Sequence, residues 1–278
     1  MTLKSAMLKM TVLALTIGSG EAVLAKSPAQ SDKVLNIAFE APDDGFDMVK
    51  TYNFYSGSIA EAIFEPLLRY DYLARPATLT PNTAEALPKI EQEGKVYTFK
   101  IKPGIYFSAD PAFKGKKREL VAEDYIYSMK RVMDPKNHSP TFSFIEGKIL
   151  GADAAIQQAK SSGQFNYDAP IAGLKALDKH TLQITLTRSD FNFPYIMAYV
   201  TFSGTAREVI EYYGARAGQH PVGTGPYQLH KYVPRSRIEL KANPDYRGFS
   251  WNFKGENTAW DQRLVKEMSG KKMPQIGR

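Results

Sequence analysis

The chain has 278 residues, a formal net charge of +7 and 43% hydrophobic residues, which is enough apolar material for a sizeable core and more than one lobe. It contains no cysteine, which excludes disulfide scaffolds, thiolate metal sites and a lipid-modified cysteine. After the N-terminal region, no stretch of the sequence is apolar enough to cross a membrane.

The first 25 residues have the pattern of a secretory signal peptide. Lys4 and Lys9 supply a basic start, residues 10–17 form an apolar run too short to span a bilayer, and small residues end at Ala25. The sequence therefore predicts export to the periplasm with cleavage after Ala25. A buried N-terminal helix is the alternative, and the polar stretch at residues 26–31 argues against it.

Strands and helices are mixed along the rest of the chain. Their periodicity predicts, in order, a strand at 34–39, a loop at 42–47, a helix at 56–64, a strand at 67–71, a turn-rich connection at 79–88, a strand at 95–102, helices at 122–133 and 152–160, a hairpin of 174–177 with 181–187, a helix at 206–213, and strands at 227–232 and 236–241. No regular βαβ rhythm appears, so the predicted class is mixed α/β (α+β).

The most specific pattern is residues 221–227, Pro-Val-Gly-Thr-Gly-Pro-Tyr, followed by Asn-Pro-Asp-Tyr-Arg at 243–247. Two glycines and two prolines in seven residues favour one tight, rigid loop. Together the two segments resemble the "VGTGPY…NPDYWG" block of the extracellular solute-binding proteins of peptide and nickel ABC importers, family 5. Three more blocks follow the family's order: residues 64–71 resemble "EPLLRYD", residues 97–107 "YTFKLRPGVKF" and residues 122–131 "TAEDVVYSLKR".

The resemblance implies a two-lobed fold like that of the type II periplasmic binding proteins. After the signal peptide (1–25), domain I begins at 26–56, domain II is inserted at 57–193, and domain I resumes at 194–278. The family's distal lobe would lie beyond Arg278, so the expectation is a truncated form. One departure is Val121, where the family usually has threonine; valine cannot accept a capping hydrogen bond, and we expect a loss of about 1 kcal/mol.

The resemblance also implies a function and partners: a substrate-binding protein that delivers a peptide or similar small solute to an inner-membrane ABC permease. The ligand-binding candidates are Tyr52, Asn53 and Phe54, in the loop expected to face the cleft, and Thr224 in the Gly/Pro loop. The alternatives are that the first three pack the loop onto its lobe and that Thr224 belongs to a purely structural turn. Without a distal lobe the chain is expected to bind weakly alone, as a monomer or complemented by a separate C-terminal half.

Other classes of function find less support. The four histidines lack metal-ligand spacing with one another, and no nucleophile elbow is present, so no catalysis and no cofactor are expected. The basic run at residues 114–118 is interpreted as a solvated loop, with no nucleic-acid partner. The rival hypothesis is a single-lobe remnant that binds a partner protein or unfolded chains and takes no part in solute transport.

Overall fold

The computed structural model describes residues 33–272, and the predicted signal peptide lies outside them. The α-helices of this part are α1 (Phe54–Ile63), α2 (Ala122–Met133), α3 (Ala152–Ser162), α4 (Phe193–Ile196), α5 (Arg207–Tyr213) and α6 (Ala259–Met268). The strands are β1 (Leu68–Tyr70), β2 (Leu79–Pro81), β3 (Lys89–Glu91), β4 (Val96–Lys100), β5 (Leu174–Asp178), β6 (Thr181–Thr185), β7 (Tyr227–Val233) and β8 (Arg237–Ala242). The class is mixed α/β, as the sequence predicts.

A four-stranded antiparallel sheet in the order β3-β4-β6-β5 forms the centre of the fold. Its inner face presents Tyr97 and Phe99 from β4 and Leu182 from β6, all fully buried. Helix α2 packs across this face against β5 and β6 and adds Tyr125 and Met129 to the same core. The alternation that predicts β4 from the sequence thus corresponds to its buried face.

Two smaller antiparallel pairs, β1–β2 and β7–β8, lie outside the central sheet. A second apolar cluster is made by Leu73, Trp251 and Phe253, with α6 residues Leu264 and Val265 packed against it. It is separate from the main core. Among the described residues no helix combines the length and hydrophobicity of a membrane span.

The predicted strand at residues 34–39 is wrong. This segment has no regular structure, and Val34, Leu35 and Ile37 are 75%, 65% and 69% exposed. A strand needs a hydrogen-bonded neighbour, and none of residues 33–272 pairs with this segment. The predicted turn-rich connection also differs, because it contains β2, which pairs with β1 in register Leu68–Pro81.

Helix α2 begins at the predicted residue and, as the sequence predicts, has no side-chain cap at Val121. The Asp124 side chain stabilises the start of the helix instead, because its carboxylate accepts a hydrogen bond from the Val121 backbone N–H at 2.8 Å. Arg118 holds that carboxylate with two further hydrogen bonds, of 2.6 and 3.0 Å.

The domain boundaries predicted at 56/57 and 193/194 both fall within helices, α1 and α4. Residues from both predicted domains share the main core, for example Val49 and Val222 of domain I and Tyr97 of domain II. The two are also joined by a buried ion pair, in which Arg131 of α2 donates to both carboxylate oxygens of Asp47 at 2.9 and 2.8 Å. The division into domains stays a prediction.

A second charged cluster connects the start of α2 with the β5–β6 turn. The Glu119 carboxylate accepts hydrogen bonds from Lys179 Nζ at 2.6 Å and from the Gly104 backbone N–H at 2.7 Å. These bonds, that of Lys179 first, lower the pKa of Glu119 from 4.5 to about 2.

Glu119→Gln is therefore expected to change stability in a pH-dependent way. A carboxylate with a depressed folded-state pKa stabilises the fold above its unfolded value, and this contribution is lost as the pH falls from about 4.5 towards 2. The variant should be less stable than the parent chain at pH 7 by about 1 kcal/mol at most, since solvent screens the pair, and equal to it near pH 2. Urea unfolding across this range measures the difference. A difference in the free energy of unfolding that stays constant with pH would contradict this account. So would the same pH-dependent difference in a variant of the exposed Glu146, Glu146→Gln.

Candidate functional site

An exposed aromatic surface lies at the N-terminal end of α1. Tyr52 and Phe54 are each 78% exposed. Behind them, Tyr55 stacks on Phe39 with ring centroids 4.8 Å apart and meets Phe54 edge-on at 5.6 Å. We call Phe39, Tyr52, Phe54 and Tyr55 the aromatic patch. It offers ring faces and the Tyr52 hydroxyl to solvent, which suits contact with apolar and polar parts of a small ligand.

Asn53 lies between the two exposed rings but uses its polar atoms locally. Its Oδ1 accepts hydrogen bonds from the Tyr55 and Ser56 backbone N–H groups at 2.8 and 3.4 Å, which caps α1. Its Nδ2 donates to the Pro42 carbonyl at 2.9 Å. Asn53 thus fixes the direction in which the neighbouring side chains project. Because of this cap, α1 starts at Phe54, two residues before the predicted start.

The Gly/Pro loop packs against the opposite end of α1. The Gly225 N–H donates to the Ile63 carbonyl at 2.8 Å. A Cβ built on Gly223 would lie 2.0 Å from that same oxygen, and one on Gly225 would lie 2.7 Å from it. Only glycine permits so close an approach of two backbones, so both glycines are explained by packing.

Thr224 is buried in this loop and faces a charged cluster. Its hydroxyl donates to Glu65 Oε2 at 2.9 Å. Arg247 reaches the same carboxylate with two hydrogen bonds, of 2.6 and 2.8 Å. Glu65 is 6% exposed and the Arg247 side chain 25% exposed. Burial alone would lower the pKa of Arg247, but its hydrogen bonds to Glu65 raise it, so the pair stays ionised.

Two more cations stand close to this pair. Lys102 donates to the Asn82 carbonyl at 2.7 Å, and burial, together with the positive charges of Arg247 and Arg69, lowers its pKa. The Arg69 guanidinium lies over the Phe249 ring, 4.3 Å from its centroid. We call Arg69, Lys102 and Arg247 the basic cluster; Arg247 bonds the buried Glu65 carboxylate, whose negative charge also acts on Arg69 and Lys102.

The structure brings only part of the predicted site together. Tyr52, Asn53 and Phe54 are adjacent, whereas Thr224 lies near the other end of α1, a ten-residue helix about 15 Å long. Sequence reasoning missed the basic cluster. Its signal was present as charges inside otherwise apolar or turn-forming blocks, Glu65 before Pro66 and Arg69 after two leucines. Among the described residues, no group of three or more His, Asp or Glu side chains is placed to hold a metal ion.

The sequence model described as "Bacterial extracellular solute-binding proteins, family 5 Middle" matches residues 78–268. Among curated relatives, the chain is 30% identical over 237 residues to Di/tripeptide-binding protein 4 of Pseudomonas aeruginosa (strain UCBPP-PA14), which covers 81% of this chain and 40% of the relative. It is 30% identical over 200 residues to the periplasmic oligopeptide-binding protein OppA of Escherichia coli (strain K12), which covers 70% of this chain and 32% of OppA. The chain therefore spans less than half the length of these relatives.

Solved structures show the same fold. The substrate-binding domain of an oligopeptide ABC transporter from Bacillus anthracis superposes with a TM-score of 0.65 at 22% identity, covering 78% of this chain and 39% of that one. Haemophilus influenzae OppA in complex with the peptide RPPGFSPFR superposes with a TM-score of 0.62 at 22% identity. The superposition covers 74% of this chain and 37% of that one. The architecture is thus that of the type II periplasmic binding proteins, as the resemblance implies.

Proposed function

Because the chain belongs to the bacterial extracellular solute-binding proteins of family 5, we propose that it serves as the exported, periplasmic substrate-binding component of an ABC importer for peptides or similar small solutes. The family match over residues 78–268 carries this proposal. The relatives' names, di/tripeptide-binding and oligopeptide-binding protein, support peptides as the class of solute. Binding followed by delivery to an inner-membrane permease requires no catalytic group.

The aromatic patch is the proposed ligand contact. The two exposed rings of Tyr52 and Phe54 project from a helix start that Asn53 fixes, so they are presented in a defined direction. The buried Thr224, in the loop that packs on α1, has an indirect role in this proposal, because its hydroxyl positions Glu65. Cleavage after Ala25 stays a prediction.

Peptide binding by the chain alone is expected to be weak. The alignment covers 40% of Di/tripeptide-binding protein 4. In such folds, affinity usually comes from two lobes that close around the ligand. We propose that residues 1–278 bind a solute weakly by themselves, as a monomer, and more tightly together with a second lobe.

Saturation-transfer NMR with tri-alanine measures such weak binding. We expect transfer to the peptide signals, and Tyr52→Ala should reduce the affinity at least about fivefold because one large contact face is lost. Tyr212→Ala, which removes a tyrosine that is 59% exposed on α5, should leave the signal unchanged. No transfer to tri-alanine from a chain that is folded by circular dichroism would sink the peptide proposal.

The single-lobe alternative is favoured by one observation, the exposed apolar side chains of Val34, Leu35 and Ile37. Such residues suit contact with another polypeptide. Suppression of the aggregation of a heat-unfolded protein, together with no transfer to tri-alanine, would favour a partner-binding role over solute transport.

A further inference from the structure

Within residues 33–272 the guanidinium of Arg69 donates no hydrogen bond and forms no ion pair, and its Nε is buried without a partner. Leaving a buried N–H unpaired costs about 1–3 kcal/mol, more for a charged group. Arg118, which is also partly buried, provides the contrast, because its guanidinium bonds both Asp124 and Glu208.

Two aromatic rings pack against this guanidinium. It lies 4.3 Å from the Phe249 ring centroid and 5.4 Å from that of Phe253, which is the arrangement of a cation over aromatic faces. These rings cover the guanidinium plane and have no lone pairs to accept its N–H groups. Arg69 is half-buried, so part of its donor edge remains accessible.

Charges of both signs surround Arg69. Arg247 and Lys102 lie near it, as do the carboxylates of Glu65 and Asp71, and Glu85 lies near Lys102. The one carboxylate buried among them, Glu65, is already engaged by Arg247 and Thr224. Within residues 33–272 no carboxylate hydrogen-bonds the Arg69 guanidinium, so its charge has no direct partner.

We propose that Arg69 is a carboxylate-binding group. The N–H groups along one edge of its guanidinium pair with a carboxylate of a small solute, while the Phe249 ring packs on the face of the guanidinium plane. A carboxylate matches the fork of N–H groups in a guanidinium with two parallel hydrogen bonds. Lys102 and Arg247 add attraction at longer range. The proposal rests on the proposed solute-binding function for the source of the carboxylate, a peptide C-terminus.

The first test observes Arg69 directly and uses no peptide. In the ¹⁵N-labelled chain, the arginine Nε–Hε signals are recorded while sodium acetate replaces sodium chloride at constant ionic strength, and Arg69→Lys identifies the Arg69 signal by its loss. We expect a saturable shift of that signal, whereas the Arg118 signal, whose Nε already bonds Glu208 at 2.8 Å, stays in place. No shift, or a linear shift shared with Arg118, would overturn the proposal. Saturation by phosphate and not by acetate would overturn the assignment to a carboxylate.

The second test links the site to the peptide. Tri-alanine with a free C-terminus and tri-alanine amide are compared by saturation transfer on the parent chain and on Arg69→Gln. The parent chain should prefer the free acid at least about tenfold, and Arg69→Gln should abolish the preference while binding of the amide persists. Equal binding of acid and amide by the parent chain would contradict a peptide C-terminus as the source.

The two proposals fail separately. If acetate shifts the Arg69 Nε–Hε signal but no saturation transfer to tri-alanine occurs, the Arg69 site is supported and the peptide function is contradicted. If saturation transfer to tri-alanine occurs but acetate does not shift the Arg69 Nε–Hε signal, the peptide function is supported and the Arg69 site is contradicted.

Discussion

Gly223→Ala is expected to lower the free energy of unfolding by at least about 3 kcal/mol. The added Cβ would lie 2.0 Å from the Ile63 carbonyl oxygen and 2.7 Å from its carbon, so a backbone must move. No flexible side chain can absorb the clash, because Ile63 ends α1 and its carbonyl also accepts the Gly225 N–H at 2.8 Å. Relief of the clash would break that hydrogen bond and separate the loop from the helix.

The matched control is Gly57→Ala in the same helix. A Cβ at Gly57 meets nothing within 4 Å, and alanine is the better helix former, so this variant should gain about 1 kcal/mol. Urea unfolding followed by far-UV circular dichroism measures both. If Gly223→Ala stayed within 1 kcal/mol of the parent chain, the loop would have to be far more adaptable than its packing indicates.

Asp47→Asn should lower the free energy of unfolding by about 3 kcal/mol, the low end of what breaking a buried ion pair costs. The Arg131 and Asp47 side chains are only 6% and 10% exposed, and the substitution keeps the shape of Asp47 while removing its charge. Burial alone would lower the pKa of Arg131, but the hydrogen bonds to Asp47 raise it, so Arg131 stays charged in the parent chain. In the variant this charge stays buried without a counterion.

The same substitution at an exposed pair gives the control. Asp168 pairs with Arg207 at 2.5 Å, but its side chain is 78% exposed, so Asp168→Asn should leave the unfolding midpoint nearly unchanged. Thermal unfolding of the two variants compares a buried with an exposed Asp–Arg pair. Equal shifts in midpoint would show that burial does not govern the Asp47 pair.

Local pattern was sufficient for elements whose partners are close in sequence. Alternation predicts β4, and the Asp134-Pro135 stop gives the end of α2, because side-chain period and proline sterics act within a few residues. The β5–β6 hairpin is confirmed for the same reason. Residues 34–39 show the limit. They have the composition of a strand, but strand formation depends on a partner that the segment does not specify.

The candidate site was predictable only where it follows the chain. The residues around the start of α1 are neighbours in sequence, so their adjacency could be foreseen. The contact between Glu65 and Arg247 joins positions 182 residues apart, and nothing in either block identifies the other as its partner. Thr224 was placed correctly in a tight loop, but its burial depends on how that loop meets α1.

The second apolar cluster determines what fluorescence can report about this protein. Both tryptophans lie in its part of the chain, Trp251 within the cluster at 6% exposure and Trp260 on α6 at 65% exposure, and the main core contains none. Tryptophan emission therefore follows residues 249–268, whereas far-UV circular dichroism follows the central sheet and its helices. Coincident transitions in the two signals would show one cooperative unit, and an earlier emission change would show that the C-terminal segment melts on its own.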